Sequence, residues 1–305
     1  MIRTCKSCLR FAFPVLMVCL FAVGGVMAQA DNKNEASAKE AYNEGIKAMQ
    51  AGNDETAIIN FRSAIQLDPN FTDAYLNLGV LYFKKNDLEM AAENFRLASE
   101  KDPTSVDAFS NLGKAYLKLK RPVEAEQAFQ KATEIKPDNP SLFIELGKVQ
   151  YRRRNYAGAI ASFEKAHSMK GGDEESYYYL GKAYGNQDEN TKAVAAYQKA
   201  LEKNPKFASA HFALGSIYLS QEKWQQAANS FKAALRADPT KAAAAYNYAV
   251  AMESAYQDSV DNNIANWQAY LRTARKDAMQ YKDDIAVAEN HVKELQDKKE
   301  KMQMQ

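Results

Sequence analysis

Cysteine is absent after residue 19, and proline and glycine are sparse along the whole chain. The three cysteines, Cys5, Cys8 and Cys19, all lie near the N-terminus. If that segment is removed on export, the remaining chain can form neither a disulfide nor a thiolate metal site. Only 8 prolines and 13 glycines interrupt 305 residues that are rich in Ala, Lys, Glu, Gln and Leu. This composition favours an all-helical protein.

The first thirty residues carry the pattern of an export signal. Three basic residues occur within the first ten, residues 11–27 are apolar and uncharged, and the small residues Ala28 and Ala30 precede Asp31. This order predicts a signal peptide over 1–30 that is cleaved after Ala30. The alternative is an uncleaved inner-membrane anchor through residues 11–27, although about 17 residues is short for a bilayer span.

The charge balance argues against a nucleic-acid-binding protein. The full chain has 40 Lys and Arg against 38 Asp and Glu, a net charge of +2, and loss of the signal with its three basic residues changes this to −1. Nucleic-acid binders ordinarily carry a basic excess, so no nucleic acid is expected as a partner. In a bacterium, an exported protein of this kind is expected in the periplasm, with membrane contact only through an uncleaved signal segment.

A period of 34 residues runs through most of the remaining chain. It is carried by one glycine, two alanine, one aromatic and one proline series, and Gly171 replaces one proline. The series are Gly45, Gly79, Gly113, Gly147, Gly181 and Gly215; Ala57, Ala91, Ala125, Ala159, Ala193 and Ala227; Ala64, Ala98, Ala132, Ala166, Ala200 and Ala234; Phe61, Phe95, Phe129, Phe163, Tyr197 and Phe231; and Pro69, Pro103, Pro137, Pro205 and Pro239. Five registers that agree over six units identify an internal repeat.

Each unit predicts two helices joined by a short polar turn. In the second unit, Tyr75, Leu78 and Tyr82 recur at spacings of three and four, which places them on one face of a helix. Residues 91–98 repeat this spacing on a second helix. The proline after the second helix has no N–H donor and therefore stops it.

This pattern resembles the tetratricopeptide repeat (TPR) family, whose unit has an aromatic residue, Leu-Gly and Tyr in its first helix, then Ala, an aromatic residue, Ala and Pro. The resemblance implies an all-α fold, an α-solenoid that coils into a right-handed superhelix with a C-terminal capping helix. It covers six repeats, over residues 38–71, 72–105, 106–139, 140–173, 174–207 and 208–241.

The segments on either side of the six repeats match the repeat pattern less closely. We expect a flexible segment over 31–37, a divergent seventh repeat over 242–275 and a C-terminal helix with a tail over 276–305. Apolar residues in that last helix step by four and three, from Tyr281 to Leu295. A capping helix that covers the seventh repeat explains this spacing, and a short coiled coil is the alternative.

In the TPR family the first helix of each repeat lines a groove that binds protein partners. The resemblance therefore implies a groove in which three lysines form a ladder, flanked by further cationic, apolar and aromatic side chains. Such a groove suits a protein or peptide segment with acidic and apolar side chains, whereas the alternative is that the lysines serve only solubility. The implied groove residues are Lys114, Lys118, Ile144, Lys148, Tyr151, Arg152, Tyr178, Lys182 and Phe212.

Catalysis has little support in the sequence. The three histidines, His167, His211 and His291, are far apart, and no zinc-protease, P-loop or nucleophile-elbow motif occurs. We therefore predict no catalytic residue, metal ligand or cofactor. The expected function is a non-enzymatic scaffold or adaptor that supports assembly of an envelope or secretion complex. The alternative is a structural protein that oligomerises through the repeat array or the C-terminal helix.

Overall fold

The computed structural model describes residues 34–257 and 259–304. Within these ranges the chain is helical and has no β-strand, so the all-α prediction is confirmed. No helix in the described ranges combines the length and the apolar character that crossing a bilayer requires. The predicted signal peptide and its cleavage residues, Ala28 and Ala30, lie outside the described residues.

The chain forms two compact units, which are divided after Pro137. In the described part of unit 1, six helices form three consecutive helix pairs, and each helix from α2 to α5 packs against the next. The helices are α1 (34–50), α2 (Asp54–Leu67), α3 (Thr72–Lys84), α4 (Leu88–Lys101), α5 (Val106–Lys118) and α6 (Pro122–Ile135).

Unit 2 contains four further helix pairs and a final helix, and each helix packs against the next in the chain. A short 3₁₀ turn (Arg275–Asp277) precedes the final helix. The helices are α7 (Pro140–Arg152), α8 (Tyr156–Ser168), α9 (Glu174–Gly185), α10 (Asn190–Lys203), α11 (Ala208–Ser220), α12 (Trp224–Ala237), α13 (Ala242–Ala255), α14 (Val260–Ala274) and α15 (Lys282–Gln303).

The predicted repeat boundaries coincide with helix starts. From the second repeat to the seventh, each repeat begins at the first residue of its first helix, from Thr72 in α3 to Ala242 in α13. The N-terminal boundary differs, because residues 34–37 are helical where we expected a flexible segment. At the other end, helix α15 continues to Gln303 and leaves almost no tail.

The glycine series marks the points where the two helices of a repeat make their closest contact. A Cβ atom on Gly79 would lie 2.6 Å from Cε1 of Phe95, and one on Gly181 would lie 2.6 Å from Cε1 of Tyr197. Both rings are buried, so neither has room to move away. The glycine and aromatic registers therefore describe one contact that recurs in the first six repeats.

A residue in the left-handed conformation ends the first helix of six successive repeats. The position recurs every 34 residues, but its side chain varies, and only the first repeat uses glycine. Its φ angle is 76° at Gly52, 61° at Asn86, 59° at Lys120, 62° at Arg154, 59° at Asp188 and 56° at Glu222. In the seventh repeat the corresponding residue, Tyr256, has φ −136°, and this repeat diverges at its turn.

Helix α15 caps the end of unit 2. Its residues Ala288, Val292 and Leu295 are buried in one apolar cluster with Trp267 and Tyr270 of α14. Burial, together with the charge of Asp284, raises the pKa of Tyr270 to about 12. The apolar face that also suggested a coiled coil is used within the chain, as expected for a capping helix.

Candidate partner-binding site

In unit 1, two predicted groove lysines lie one helical turn apart on α5. Lys118 Nζ lies 5.3 Å from the centre of the Phe83 ring, and Lys114 Nζ lies 3.5 Å from Asn111 Oδ1. Neither ammonium group has a carboxylate partner among the described residues. Beside them is a cavity of about 200 Å³ that is lined by Val80, Phe83, Phe95, Asn111 and Lys114.

In unit 2, Lys182 of α9 is surrounded by three tyrosines. Its Nζ lies 5.0 Å from the ring centre of Tyr151, 5.6 Å from that of Tyr178 and 5.7 Å from that of Tyr179. Burial alone lowers the pKa of Lys182, but a hydrogen bond with Tyr151 and the nearby tyrosines outweigh it and raise the pKa above its ordinary value. The ammonium group therefore stays charged within an aromatic cage.

Lys148 of α7 has a different environment from Lys182. Its Nζ lies 2.7 Å from Glu175 Oε2 and 3.7 Å from Glu145 Oε1, and its side chain is only 16% exposed. Two carboxylates thus neutralise this lysine within unit 2. The three lysines of the predicted ladder share a sequence register but not an electrostatic role.

The other predicted residues lie in separate settings. Ile144 is half-buried and, like Tyr178, packs against the buried cluster that contains Tyr184. Arg152 is exposed in the last turn of α7. Phe212 of α11 packs edge-on against Phe231, with ring centres 5.5 Å apart. Phe212 is thus fixed by the core of its own repeat.

Sequence reasoning missed three residues of this surface. Tyr179 completes the cage around Lys182, Glu175 pairs with Lys148, and Lys241 Nζ lies 4.7 Å from the centre of the Phe212 ring. Tyr179 stands in the run Tyr177-Tyr178-Tyr179, which was the available signal. Glu175 comes from the start of the repeat that follows Lys148, and Lys241 is the last residue of the repeat that contains Phe212. A repeat register does not show which side chains meet across such distances.

One Ser–His contact in unit 2 has the residue types of a catalytic pair but not the access. His167 Nε2 lies 3.0 Å from Ser176 Oγ, and this hydroxyl donates to the carbonyl of Asp173 at 2.9 Å. Ser176 is fully buried, and burial also lowers the pKa of His167. A substrate has no route to this hydroxyl. In the described ranges no three His, Cys, Asp or Glu side chains are arranged to hold a metal ion.

Comparisons with known proteins agree with this architecture. Three tetratricopeptide repeat models match the chain, over residues 48–86 and 81–120, residues 106–139, and residues 178–242 and 212–255. No curated protein matches it. The matched segments lie in both units.

Several solved structures have a similar fold. The structure of MamA is 28% identical, with a TM-score of 0.52, over 56% of this chain and 94% of that one. YrrB, described as a TPR protein with an unusual peptide-binding site, is 24% identical, with a TM-score of 0.56, over 61% and 96%. A TPR repeat-containing protein from Cytophaga hutchinsonii is 20% identical, with a TM-score of 0.63, over 76% and 95%.

Proposed function

The chain belongs to the tetratricopeptide repeat family, and on that premise we propose that it is an exported, non-catalytic adaptor that binds a segment of a partner protein. Proteins of this family bind protein or peptide partners. A peptide-binding site is described for YrrB, which has a similar fold. The proposed binding surface lies on the first helices of the repeats and is centred in unit 2 on Lys182.

The observation that carries this proposal is the lysine–tyrosine cage. Lys182 is charged, half-exposed and held over three rings. An exposed ion pair contributes about 0.2–1 kcal/mol, whereas a desolvated aromatic anchor contributes about 2 kcal/mol or more. Tyrosines 151, 178 and 179 therefore supply most of the affinity, and Lys182 selects an acidic side chain of the partner and speeds its association.

The proposal of a non-catalytic role rests on the absence of an accessible nucleophile–base pair in the described residues. Ser176, which lies 3.0 Å from His167 Nε2, is fully buried. The half-exposed polar groups of unit 2 instead lie on a series of consecutively packed helices, which suits recognition of a chain segment.

Export is proposed from the sequence of residues 1–30. A periplasmic adaptor of this type would support assembly of an envelope or secretion complex. Mass spectrometry of the protein from its host tests the first step, since cleavage at the predicted site gives a mature chain that starts at Asp31, and retention of residues 11–27 in a membrane fraction contradicts it.

Self-assembly through the C-terminal helix is a weaker candidate. It needs the apolar face of α15, but Ala288, Val292 and Leu295 of that face are already buried in unit 2. Association through the repeat array is tested by the same experiment as the adaptor function.

Photocrosslinking in the host tests the proposal directly. A photoreactive aromatic residue in place of Tyr178 keeps a ring in the cage, and the same residue at Gln198, exposed on α10 of the same repeat, is the matched control. We expect one foreign protein to crosslink from position 178 and not from position 198. Equal crosslinking from both positions, or crosslinks only to another copy of the chain, would contradict the adaptor proposal.

The lysines are tested with the captured partner. Lys182→Gln is expected to weaken binding about two- to five-fold at low salt and to reduce the effect of added salt, as expected for a partly exposed ion pair. The variant Lys114→Ala/Lys148→Ala/Lys182→Ala addresses the whole predicted ladder. Unchanged binding by this triple variant would show that the lysines serve only solubility.

A further inference from the structure

The seventh repeat carries a carboxylate at a position where no earlier repeat has a charge. The position lies in the last turn or near the end of each first helix. Its occupants are Met49, Phe83, Leu117, Tyr151, Gly185, Leu219 and, in the seventh repeat, Glu253. The sign of the charge on this face of unit 2 therefore changes between the Lys182 cage and the seventh repeat.

Glu253 joins three helices through one of its two oxygens. Its Oε2 accepts hydrogen bonds at 2.8 Å from Trp267 Nε1 in α14 and at 2.8 Å from His291 Nε2 in α15. The other oxygen, Oε1, has no hydrogen-bond partner in residues 34–257 and 259–304. The side chain is 27% exposed, so this oxygen can receive a donor from outside the chain.

A cavity of about 310 Å³ opens beside Glu253, and most of its wall is apolar. Tyr246 and Val250 of α13 form one side, and Val287 of α15 forms another. Val287 is 62% exposed although the next residue, Ala288, is fully buried. The cavity thus combines an uncovered aliphatic and aromatic wall with a carboxylate that has one free oxygen.

We propose that this cavity binds a basic side chain, an arginine or a lysine, of a protein segment. The cationic head would donate to Oε1 of Glu253, and its methylene groups would pack on Val250 and Val287. Glu294 does not line the cavity, but its Oε2 lies 3.6 Å from Nδ1 of the lining residue His291 and adds negative charge nearby. A free carboxylate oxygen can only accept, so the ligand must be a donor.

This inference rests on the proposed adaptor function and adds a direction to it. The Lys182 cage selects an acidic group, whereas Glu253, further along unit 2, selects a basic one. A partner segment with an acidic and a basic end would fit unit 2 in one orientation only, because the reverse orientation places like charges together.

The indole N–H signals of a nitrogen-15-labelled sample provide a test. The chain has two tryptophans, and only Trp267 bonds Glu253, so Trp224 is an internal control. The probes are acetyl-Leu-Ala-Arg-Leu-amide and the same peptide with neutral citrulline in place of arginine. We expect the arginine peptide to shift the Trp267 signal saturably, to leave Trp224 unchanged and to bind at least about five-fold more tightly than the citrulline peptide.

Two variants separate the site from the fold. Glu253→Gln keeps an oxygen for Trp267 and removes the charge, so the preference for arginine over citrulline should disappear. Val287→Lys changes an exposed residue, leaves α15 packed and should weaken the arginine peptide several-fold by repulsion. Equal binding of the two peptides to the wild-type protein, or no Trp267 shift, overturns the inference. The Tyr178 crosslinking experiment is independent of this result, so failure here is distinguishable from failure of the adaptor proposal.

Discussion

Replacing Gly181 by alanine should destabilise unit 2, although the same change elsewhere in helix α9 should not. The new Cβ would lie 2.6 Å from Cε1, 2.7 Å from Cδ1 and 2.9 Å from Cζ of Tyr197. Tyr197 is only 4% exposed and packs between helices α9 and α10. The ring can make room only if the two helices move apart.

The size of the effect follows from two opposing contributions. Overpacking a well-packed interior costs about 1–3 kcal/mol. Replacing glycine by alanine within a helix gains roughly 0.5–1 kcal/mol. Gly181→Ala should therefore lower the free energy of unfolding by about 0.5–2 kcal/mol. Gly185→Ala is the matched control, since a Cβ there meets nothing within 4 Å, and this variant should be neutral or more stable.

The free energies of unfolding of the two variants can be compared by urea denaturation, followed by far-ultraviolet circular dichroism. Native-state hydrogen exchange of α9 and α10 reports the local effect. Local exchange is needed because repeat proteins often unfold in more than one step. If the close contact with the ring is the cause, Gly181→Ala should cost much less in a Tyr197→Leu background. A Gly181→Ala protein as stable as Gly185→Ala would refute this account of the glycine register.

Three further variants test one turn and one helix cap. Glu222→Gly should stabilise the protein by up to about 1 kcal/mol. The reason is that relieving ~1–2 kcal/mol of strain in the left-handed conformation exceeds the ~0.5–1 kcal/mol entropic cost of glycine. A lower thermal midpoint for this variant would contradict the prediction. Asp173 caps α9, because its Oδ1 accepts a hydrogen bond from the Ser176 amide at 2.8 Å. Partial burial raises the pKa of Asp173, but hydrogen bonds from Ser176 and the charge of Lys148 have a larger effect, so the pKa is lowered. Because the pKa of Asp173 is lower in the folded protein than in the unfolded chain, where it is about 4, the ionised carboxylate stabilises the fold above pH 4. This stabilisation is lost as the pH falls through the pKa of the folded protein. Asp173→Asn should keep the cap but flatten this acid dependence of the midpoint, whereas Asp173→Ala should cost about 1 kcal/mol at neutral pH; identical acid profiles for wild type and Asp173→Asn would exclude this role.

The repeat architecture was predictable because each register reports a local requirement. Glycine recurs opposite a buried ring, where a Cβ atom would clash, and proline recurs after the second helix, which it ends. These residues set the repeat boundaries, and the boundaries predict the starts of α3 and α13. The left-handed turn was not predictable from one chain. Asn86, Lys120 and Glu222 occupy it, and these residue types share no preference strong enough to mark it.

The repeat register predicts the position of each candidate lysine but not the environment of its ammonium group. Lys148 and Lys182 are equivalent in the repeat, yet one is paired with Glu175 and the other is surrounded by tyrosines. These differences arise partly from side chains of the neighbouring repeat, such as Glu175 beside Lys148 and Tyr151 beside Lys182. A 34-residue register aligns equivalent positions of successive repeats, but it does not show which side chains at non-equivalent positions are in contact.

The contacts of the lysines indicate that charged and apolar groups of a partner would be bound at the same places. In both units a lysine ammonium lies over an aromatic ring, as Lys118 does over Phe83, Lys182 over Tyr151 and Lys241 over Phe212. A partner carboxylate that reaches such an ammonium also brings its own chain against the ring beneath it. If the partner binds as proposed, its charge and its apolar surface are recognised at one place. Loss of the ring should then weaken the ion pair as well as the packing, because the ring partly desolvates and orients the ammonium group.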